Sequence, residues 1–579
     1  MKPKTFLIFL FIILFVSSAY TQEFGYPVEG EAWYYIKVKF SNKSKLQEGT
    51  WTIIEVNVNG HNVRDFSLYQ NKNEIFDKKI NGKSPFDLKA RYSWQGEKEY
   101  EIKARLENTE TGKSIILNKT TYSPQKKGYW NPDWKNYLAL LISEENRCER
   151  INYPVHATIG IISNYIYSLE EIRLVKAEKQ GKDISYIEIP RQIYDVITWK
   201  DEKLLSIEEK DEETGKVITR YHPTTTLSIA FQVNLKPYEK ATYLVFYNNP
   251  SAKIPSYETD LQVKGEGLAK TIENSFYKVV LDEKSGMVTE IHEKTTELKL
   301  EHKLETNGAI HWNPGTYSPP HSWSHCSDWE NPPFLEEIGP VFYSLHRTAP
   351  LPHIKDVMIS ISYYFYNDSP FIIMESNMKI NKDIFVKALR SGEVVFNKEV
   401  LDSGAYKTIK GKTKLIDFSR SRQHPEHVAI LRPDTPWIVF FNEEKHIAFG
   451  NLFLNFSTSN LNGGQASLQQ PYIYIQHGPW YYLSRAFVYS FGSNNQTRML
   501  PVSQGSIYYE KNAWITFSFK KKRGYSPYID KYFNMLKHPL NIVEVMETYP
   551  ESPEGWLVPI LTEPFEEGVE GALGGKKKK

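Results

Sequence analysis

The sequence predicts an all-β, multidomain protein built from antiparallel sheets. Segments that alternate apolar and polar residues recur along the chain, from YYIKVKF at 34–40 to NAWITFSFK at 512–520. Such alternation places one face of a strand in a core and the other in water. Turn-forming dipeptides such as NG at 59–60 separate the segments. A helical pattern is found at 526–540, SPYIDKYFNMLKHPL.

The strands fall into successive modules. Residues 20–125 predict an immunoglobulin-like β-sandwich, and 126–255 predict a second β-sandwich module. Residues 256–525 carry many more strands and predict two large packed antiparallel sheets. The segment 526–579 predicts a helix followed by a disordered, Gly-rich and acidic tail.

The first residues predict export. Lys2 and Lys4 precede an apolar run that ends at Val16, and small residues follow up to Ala19. This is the pattern of a secretory signal peptide over 1–19. The run is shorter than the roughly 20 residues that span a bilayer. We therefore expect a secreted protein, extracellular or periplasmic, without a transmembrane span.

Charge and cysteine content exclude two other classes. The chain has 71 Lys and Arg against 69 Asp and Glu, so it lacks the basic excess of a nucleic-acid binder. Two cysteines in 579 residues provide no disulfide framework, although Cys148 and Cys326 could pair. Stability must come from hydrophobic cores.

A resemblance suggests a substrate class. The hairpin ENSFYKVVLDEKSGMVTEIHEK (273–294) resembles the opening of the galactose-mutarotase-like β-supersandwich of carbohydrate-active enzymes, polysaccharide lyases and glycoside hydrolases among them. PWIVFFNEEKHIAFGNLFLNF (436–456) and QGSIYYEKNAWITFSF (504–519) resemble later strands of such domains. The resemblance covers about residues 260–520 and implies a large antiparallel β-supersandwich and a carbohydrate ligand. Members share no single catalytic set, so it assigns no residue.

The segment HWNPGTYSPPHSWSHCSDWE (311–330) is the first candidate site. Its prolines predict a long loop, and long loops in compact domains are often functional. Three interpretations remain open. The loop could line a sugar groove, with tryptophans stacking on sugar rings and a histidine as general acid or base. It could bind a metal through His321, His325, Cys326 and Asp328, although the spacing matches no zinc pattern. It could also be a structural plug.

Two further segments add candidates. SRSRQHPEH (419–427) offers arginines and histidines at a predicted loop tip, where cations could hold a carboxylate. YIYIQHGPWYYLSR (472–485) places His, Trp, Tyr and Arg near a strand end. Solvated basic residues and core aromatics are the structural alternatives. Arg390, in FVKALRSGEVVF, is interpreted as a turn residue.

We therefore predict a carbohydrate-active enzyme, with β-elimination on a uronate-containing glycan as the first choice of reaction. His321 or His325 would take the proton, Tyr481 would return one, and Arg422 or Arg485 would neutralise the uronate. The residues predicted to act in catalysis are His321, His325, His477, Tyr481, Arg422 and Arg485. The residues predicted to contact the sugar are His311, Trp312, Trp323, Trp329, His424 and Trp480.

Two other functions stay open. One is a non-catalytic secreted or cell-surface carbohydrate-binding protein. The other is a glycoside hydrolase, which needs two carboxylic acids that face one bond, for example Asp328 and Glu330. No residue pattern assigns a cofactor, a metal ion or an oligomeric state, and the expected partner is a polysaccharide or oligosaccharide.

Overall fold

The architecture was obtained as a computed structural model of the chain. It describes residues 33–40, 46, 48–64, 66–71, 73–93, 99–122, 130–131, 133–134, 136–163, 166–180, 183–199, 206–210, 217–221, 224–295, 297–301, 310–312, 323–397, 400–418, 428–461, 471–477, 480–490 and 499–545. The expected signal peptide at 1–19 and the tail beyond 545 lie outside these residues.

The first module is a β-sandwich, as predicted. Its strands are β1 (Trp33–Phe40), β2 (Thr50–Val58), β3 (His61–Asn62), β4 (Phe66–Gln70), β5 (Asn73–Glu74), β6 (Lys79–Asn81), β7 (Phe86–Ser93), β8 (Glu99–Asn108) and β9 (Ser114–Tyr122). They form one sheet in the order β1-β7-β4-β5 and a second in the order β3-β2-β8-β9, with β6 beside β2. Trp51, Leu88 and Leu106 are buried in the core between the two sheets.

The second module continues the antiparallel pattern. Its strands are β10 (Asn136–Ser143), β11 (Arg150–Ile162), β12 (Arg173–Gln180), β13 (Asp183–Ile189), β14 (Arg191–Trp199), β15 (Ser206–Lys210), β16 (Val217–Tyr221), β17 (Thr224–Leu235) and β18 (Lys240–Tyr247), with a 3₁₀ turn at Leu169–Glu171. The apolar segment at 136–143, NYLALLIS, is strand β10. β10 lies between β18 and the last strand of the described residues, Asn541–Val545.

The third module opens with a five-stranded sheet. Its strands, in sheet order, are β19 (Gln262–Lys264), β20 (Thr271–Glu273), β21 (Tyr277–Leu281), β22 (Val288–Glu293) and β23 (Leu298–Glu301). The predicted hairpin is confirmed, because β21 and β22 pair antiparallel. Tyr277, Val279 and Leu281 are all buried, as their alternation predicted.

Two larger sheets form the rest of the third module. The strands are β24 (Ile310–Trp312), β25 (Trp323–Ser324), β26 (Phe334–Ile338), β27 (Phe342–Leu351), β28 (Ile354–Tyr366), β29 (Phe371–Ile380), β30 (Ile384–Asn397), β31 (Ser403–Lys407), β32 (Thr413–Leu415), β33 (Ala429–Leu431), β34 (Trp437–Asn442), β35 (Ile447–Ser459), β36 (Tyr472–His477), β37 (Trp480–Tyr489), β38 (Leu500–Val502) and β39 (Ile507–Ser518). They are followed by helix α1 (Ser526–Lys537) and β40 (Asn541–Val545).

We call the two larger sheets sheet A and sheet B. Sheet A has nine strands in the order β26-β27-β28-β29-β39-β35-β34-β31-β32. Sheet B has seven, in the order β25-β24-β30-β37-β36-β33, with β38 beside β30. The described part of the chain is thus all-β apart from α1 and short turns, which confirms the predicted fold class.

The sheets pack face to face around one hydrophobic core. Sheet A contributes buried Tyr363 and Trp514, and sheet B contributes buried Leu389 and Leu483. The other face of sheet A is covered by α1, whose Ile529 is buried there. The other face of sheet B, which we call the outer face, carries Tyr474, Tyr489 and two alanines.

The second and third modules are joined by polar contacts and by the end of the chain. Gln192 Oε1 accepts hydrogen bonds from the backbone amides of Val341 and Phe342, at 3.3 and 3.0 Å. Asn152 Nδ2 donates to an Asp368 carboxylate oxygen at 2.7 Å. After α1 leaves sheet A, β40 pairs with β10 of the second module. The C-terminal segment therefore spans both modules.

Two negative observations apply to the described residues. Cys148 and Cys326 do not form a disulfide with each other, and Cys326 is buried in the sheet A–sheet B core. The single described α-helix, twelve residues long, is too short to cross a membrane.

Candidate functional site

A bulge in the middle of β30 builds the candidate site. Arg390 pairs with Ala486, Ser391 with Arg485, and Val394 only with Leu483, so two residues oppose one on β37. A bulge of this kind bends the strand and redirects side chains, and it is common beside functional sites. The result here is that two charged residues of one strand, Arg390 and Glu393, meet through their side chains.

Gly392 permits this bulge. Its φ of +59° lies in the left-handed region, which disfavours any residue with a Cβ. A Cβ at this position would also lie 2.7 Å from Asn512 Nδ2 and from the Glu510 carboxyl carbon. Gly392 therefore approaches polar side chains of sheet A, while the neighbouring Glu393 is held on the other side of the strand.

Arg390 is the centre of the site. Its Nη2 lies 3.0 Å from Glu393 Oε2, and its Nη1 donates to the Tyr474 hydroxyl at 2.7 Å. The guanidinium carbon is 3.9 Å from the centre of the Trp323 ring, a cation–π contact. Burial opposes the charge on Arg390, but Glu393 and then Tyr474 outweigh it and raise the pKa of the guanidinium. Arg390 is thus fixed by a carboxylate, a phenol and an indole.

His325 adds an imidazole next to the same carboxylate. It immediately precedes a 3₁₀ turn, Cys326–Asp328, and its backbone amide donates to an Asp328 carboxylate oxygen at 3.3 Å. The His325 Nδ1 is 4.0 Å from Glu393 Oε1. Its ring stacks on Trp323 with 6.1 Å between the centroids. The His325 side chain is 22% exposed while Glu393 is 1% exposed, so the imidazole lies between the carboxylate and solvent.

Tyrosines extend the outer face beyond these charges. Tyr474 is buried, and Tyr472 and Tyr489 lie 6.1 and 5.5 Å from it between ring centroids. Burial raises the pKa of Tyr474 to about 12, although Arg390 acts in the opposite direction. Burial, and next the charge of Glu393, raise the pKa of Tyr482. The phenols of Tyr474 and Tyr482 are therefore neutral near pH 7 and can donate hydrogen bonds.

Some residues of the two predicted segments, 311–330 and 472–485, thus come together at the candidate site, and others do not. Trp323 and His325 from the loop contact β30, and β36 contributes Tyr474, within the predicted 472–485 segment. The predicted Trp329, however, is buried in the sheet A–sheet B core, where its indole N–H donates to the Pro350 carbonyl at 2.8 Å. It therefore offers no face for a sugar, which corrects its assignment.

Tyr481 and Arg485 point away from the outer face. Tyr481 is buried in the sheet A–sheet B core, donates to the Asp402 carbonyl at 3.3 Å, and has its pKa raised to about 12 by burial. Arg485 is fully buried and pairs with Glu510 of sheet A at 3.0 Å. Its Nη1 donates to the Pro433 carbonyl. Both side chains lie between sheet A and sheet B, so neither can contact a ligand on the outer face.

The remaining predicted residues are not tested. His321, Arg422 and His424 lie outside the described residues. Four others lie on strands of sheet B for which the backbone alone is described: His311, Trp312, His477 and Trp480. His311 pairs with Ala388 in the middle of β30, two residues before Arg390, so its backbone borders the site.

Three site residues were missed by reasoning from the sequence: Arg390, Glu393 and Tyr474. Arg390 was interpreted as a turn residue, but β30 runs unbroken from Ile384 to Asn397. The available signal was the glycine in LRSGEVV, because an isolated glycine in a strand pattern indicates a bulge. Over the described part of the chain, no three His, Cys, Asp or Glu side chains are grouped as metal ligands would be.

Comparisons with known proteins give distant structural matches. No family model and no curated protein matches the sequence. An α-mannosidase from Enterococcus faecalis V583 matches at 9% identity and a TM-score of 0.45, over 73% of this chain and 47% of that one. A glycosyl hydrolase family 38 protein from Enterococcus faecalis gives 10% identity and 0.44, over 73% and 49%.

A third structure, the galactosidase domain of an α-galactosidase–sucrose kinase, gives 10% identity and a TM-score of 0.28, over 49% of this chain and 44% of that one. The chain thus spans about half the length, or less, of these three structures. All three TM-scores lie below 0.5, so the function proposed below rests on the residues of this chain.

Proposed function

We propose that this chain is a carbohydrate-active enzyme whose sugar site is the outer face of sheet B. The observation that carries the proposal is the Arg390–Glu393–His325 cluster, set among Trp323 and neutral tyrosines. The half-buried side chains of Trp323, His325 and Tyr482 can match the apolar faces and hydroxyl groups of a sugar, while buried Arg390 and Glu393 hold Trp323 and His325 in place. The carbohydrate class implied by the resemblance at 273–294 agrees with this proposal.

Glu393 and His325 form the proposed acid–base pair. Their 4.0 Å separation leaves room for a hydroxyl group or a glycosidic oxygen to contact both. The carboxylate would accept a proton and the protonated imidazole would donate one. Arg390 pairs with Glu393 and stays fixed during the reaction because Tyr474 and Trp323 hold it. The sequence predicted His325 as the base that takes the proton, whereas in this proposal it is the acid and Glu393 is the base.

Hydrolysis of a neutral glycan ranks ahead of the β-elimination predicted from the sequence. β-Elimination needs a cation to neutralise the uronate carboxylate, and Arg390 is already neutralised by Glu393. Hydrolysis needs a second carboxyl group, for which Asp328, next to the His325 backbone, is the candidate. We also propose that the enzyme is exported. This part rests on the signal-peptide pattern at 1–19 alone, because those residues lie outside the described part of the structure.

The experiment compares reaction products on neutral and uronate-containing glycans. A hydrolase releases new reducing ends without ultraviolet absorbance, whereas a lyase creates an unsaturated end that absorbs. Glu393→Gln removes the charge at constant shape, and we expect activity to fall at least 100-fold, because general acid–base catalysis contributes about 10²–10⁴-fold. His325→Ala should lose a similar factor.

A matched control is available in a second His–Glu pair. His292 Nε2, on β22, lies 2.8 Å from Glu297 Oε2 in the turn before β23, and neither residue is part of the candidate site. The His292→Ala and Glu297→Gln variants should keep wild-type turnover. Full activity in folded Glu393→Gln would remove this face from the mechanism, and an intact polymer in every wild-type incubation would favour the binding-protein alternative.

A further inference from the structure

A second pocket lies in the second module, under an irregular segment that we call the strap (residues 248–260). The strap follows β18 and contains neither helix nor strand. Buried Glu171 accepts hydrogen bonds from the backbone amides of Asn248 and Asn249, each at 3.2 Å. Further along, the Tyr257 hydroxyl donates to Glu188 Oε1 at 2.9 Å. The strap is therefore tied down at both ends and forms a fixed wall.

The space between the strap and the edge of the module is large enough for a ligand. Its volume is about 610 Å³, within the roughly 300–1,000 Å³ of typical ligand pockets. Strap residues line the pocket together with Trp130, Asn131, Asp133, Trp134, Arg173 and Glu188. It shares no residue with the candidate site on sheet B.

Fixed aromatic rings form the apolar part of the wall. Half-buried Trp130 lies 5.0 Å from Trp134 and 5.2 Å from Phe246 between ring centroids. The Trp134 indole N–H donates to the Glu171 carbonyl at 2.6 Å, which fixes that ring. Tyr257 contributes a third ring from the strap. Rings held in this way present flat apolar surface with little loss of side-chain entropy on binding.

The polar part of the wall favours an uncharged, hydroxyl-rich ligand. Arg173 is committed to the protein, because its Nη1 donates to the carbonyls of Glu170 and Ile172 and its Nη2 to that of Lys253. Its Nε lies 3.3 Å from Glu188 Oε1.

Glu188, whose side chain is 34% exposed, therefore faces the pocket as an anchored acceptor. Asp133 and Glu258 add two more acidic groups to the lining. The basic groups there are Lys253 and Arg173, whose hydrogen bonds are already made within the protein. A carboxylate ligand would meet more negative than positive charge, whereas sugar hydroxyls can donate to these oxygens.

We propose that the strap pocket binds a neutral oligosaccharide as a site separate from the outer face of sheet B. Trp130 supplies the stacking surface and Glu188 accepts from the sugar hydroxyls. The site does not depend on catalysis at Glu393, so it would also exist in a chain without enzymatic activity. It would hold the glycan to the second module while another part of the polymer contacts the third.

Isothermal titration calorimetry on the full chain tests this proposal. The probes are the neutral hexasaccharides of β-1,4-glucose, β-1,4-mannose, β-1,4-xylose and α-1,4-glucose, with hexagalacturonate as the acidic probe. We expect at least one neutral probe to bind, with tenfold or greater weakening in Trp130→Ala and in the isosteric Glu188→Gln. Tyr238→Phe, on an exposed tyrosine of the same module, should keep wild-type affinity.

Circular dichroism and the Tm confirm that each variant is folded. If Trp130→Ala does not fold, the affinity of Glu188→Gln for the neutral probe is the test of the proposal. The proposal is overturned if no neutral probe binds, if hexagalacturonate binds more tightly than every neutral probe, or if the folded pocket variants keep wild-type affinity. Binding that is lost in Glu393→Gln and kept in Glu188→Gln would also overturn it and would assign the sugar to sheet B.

Discussion

At the scale of single residues, Gly392 matters most for the candidate site. It combines a left-handed φ with close approach to Glu510 and Asn512, and the residues on either side of it form the site and the core. The bulge therefore depends on the absence of one Cβ. Gly392 therefore lies between the Arg390–Glu393 pair on the outer face and the side chains of Glu510 and Asn512 in the interior.

Gly392→Ala should destabilise the third module by about 3 kcal/mol, from the left-handed conformation and from overpacking. Gly411 is the matched control, because its φ is +77° and a Cβ there would have no neighbour within 4 Å. Gly411→Ala should lose only about 1 kcal/mol. Urea denaturation followed by tryptophan fluorescence measures both, and equal losses would show that the contact with Glu510 has no energetic role.

At the scale of elements, β37 and β39 are joined across the sandwich by a buried ion pair. Arg485 and Glu510 are both fully buried, and Asn512 Nδ2 also donates to Glu510 Oε1 at 3.1 Å. The Arg485 guanidinium carbon lies 4.2 Å from the centre of the Phe456 ring. A buried charge without its partner is strongly unfavourable, so this pair fixes how sheet B sits on sheet A.

Arg485→Met should destabilise the protein by about 3–5 kcal/mol, because Glu510 would remain buried without its cation. The double variant Arg485→Met/Glu510→Gln should be less destabilised than the sum of the two single variants. Arg432→Met is the surface control, since Arg432 and Asp434 form an exposed pair, and it should leave stability almost unchanged. Additive losses in the double-mutant cycle would contradict the assigned coupling.

At the scale of the whole molecule, the C-terminal segment connects the second and third modules. Helix α1 packs on sheet A, the Arg150 guanidinium donates to the Met535 carbonyl at its end, and β40 then pairs with β10. Leu540 is buried in the core of the second module. Helix α1 therefore belongs to the third module and β40 to the second.

Truncation after residue 537 should lower the Tm of the second module, because it exposes the hydrogen-bonding edge of β10 and removes Leu540 and Ile542. The loss of their buried surface alone corresponds to about 3 kcal/mol. A control truncation after residue 545 keeps β40 and should have a higher Tm than the truncation after residue 537. Differential scanning calorimetry compares the two, and identical curves would contradict the structural role of β40.

The sequence by itself determined the all-β class, strands such as β21 and β22, and the position of the helix. These follow from local periodicity, as the alternation of Tyr277, Val279 and Leu281 illustrates, because burial of every second side chain is a property of one strand. It also drew attention to His325 and Trp323, whose chemistry is unusual for a core.

The tertiary structure alone decided which residues meet. Tyr481, which was predicted as a catalytic acid, faces the core. Its neighbour Tyr482 is the residue whose pKa is raised by burial and by the charge of Glu393. One position along a strand reverses the face, and the register that selects it is set by pairing with distant strands. The bulge at Gly392 then brought Arg390 and Glu393 together, through packing against β39 that no local pattern encodes.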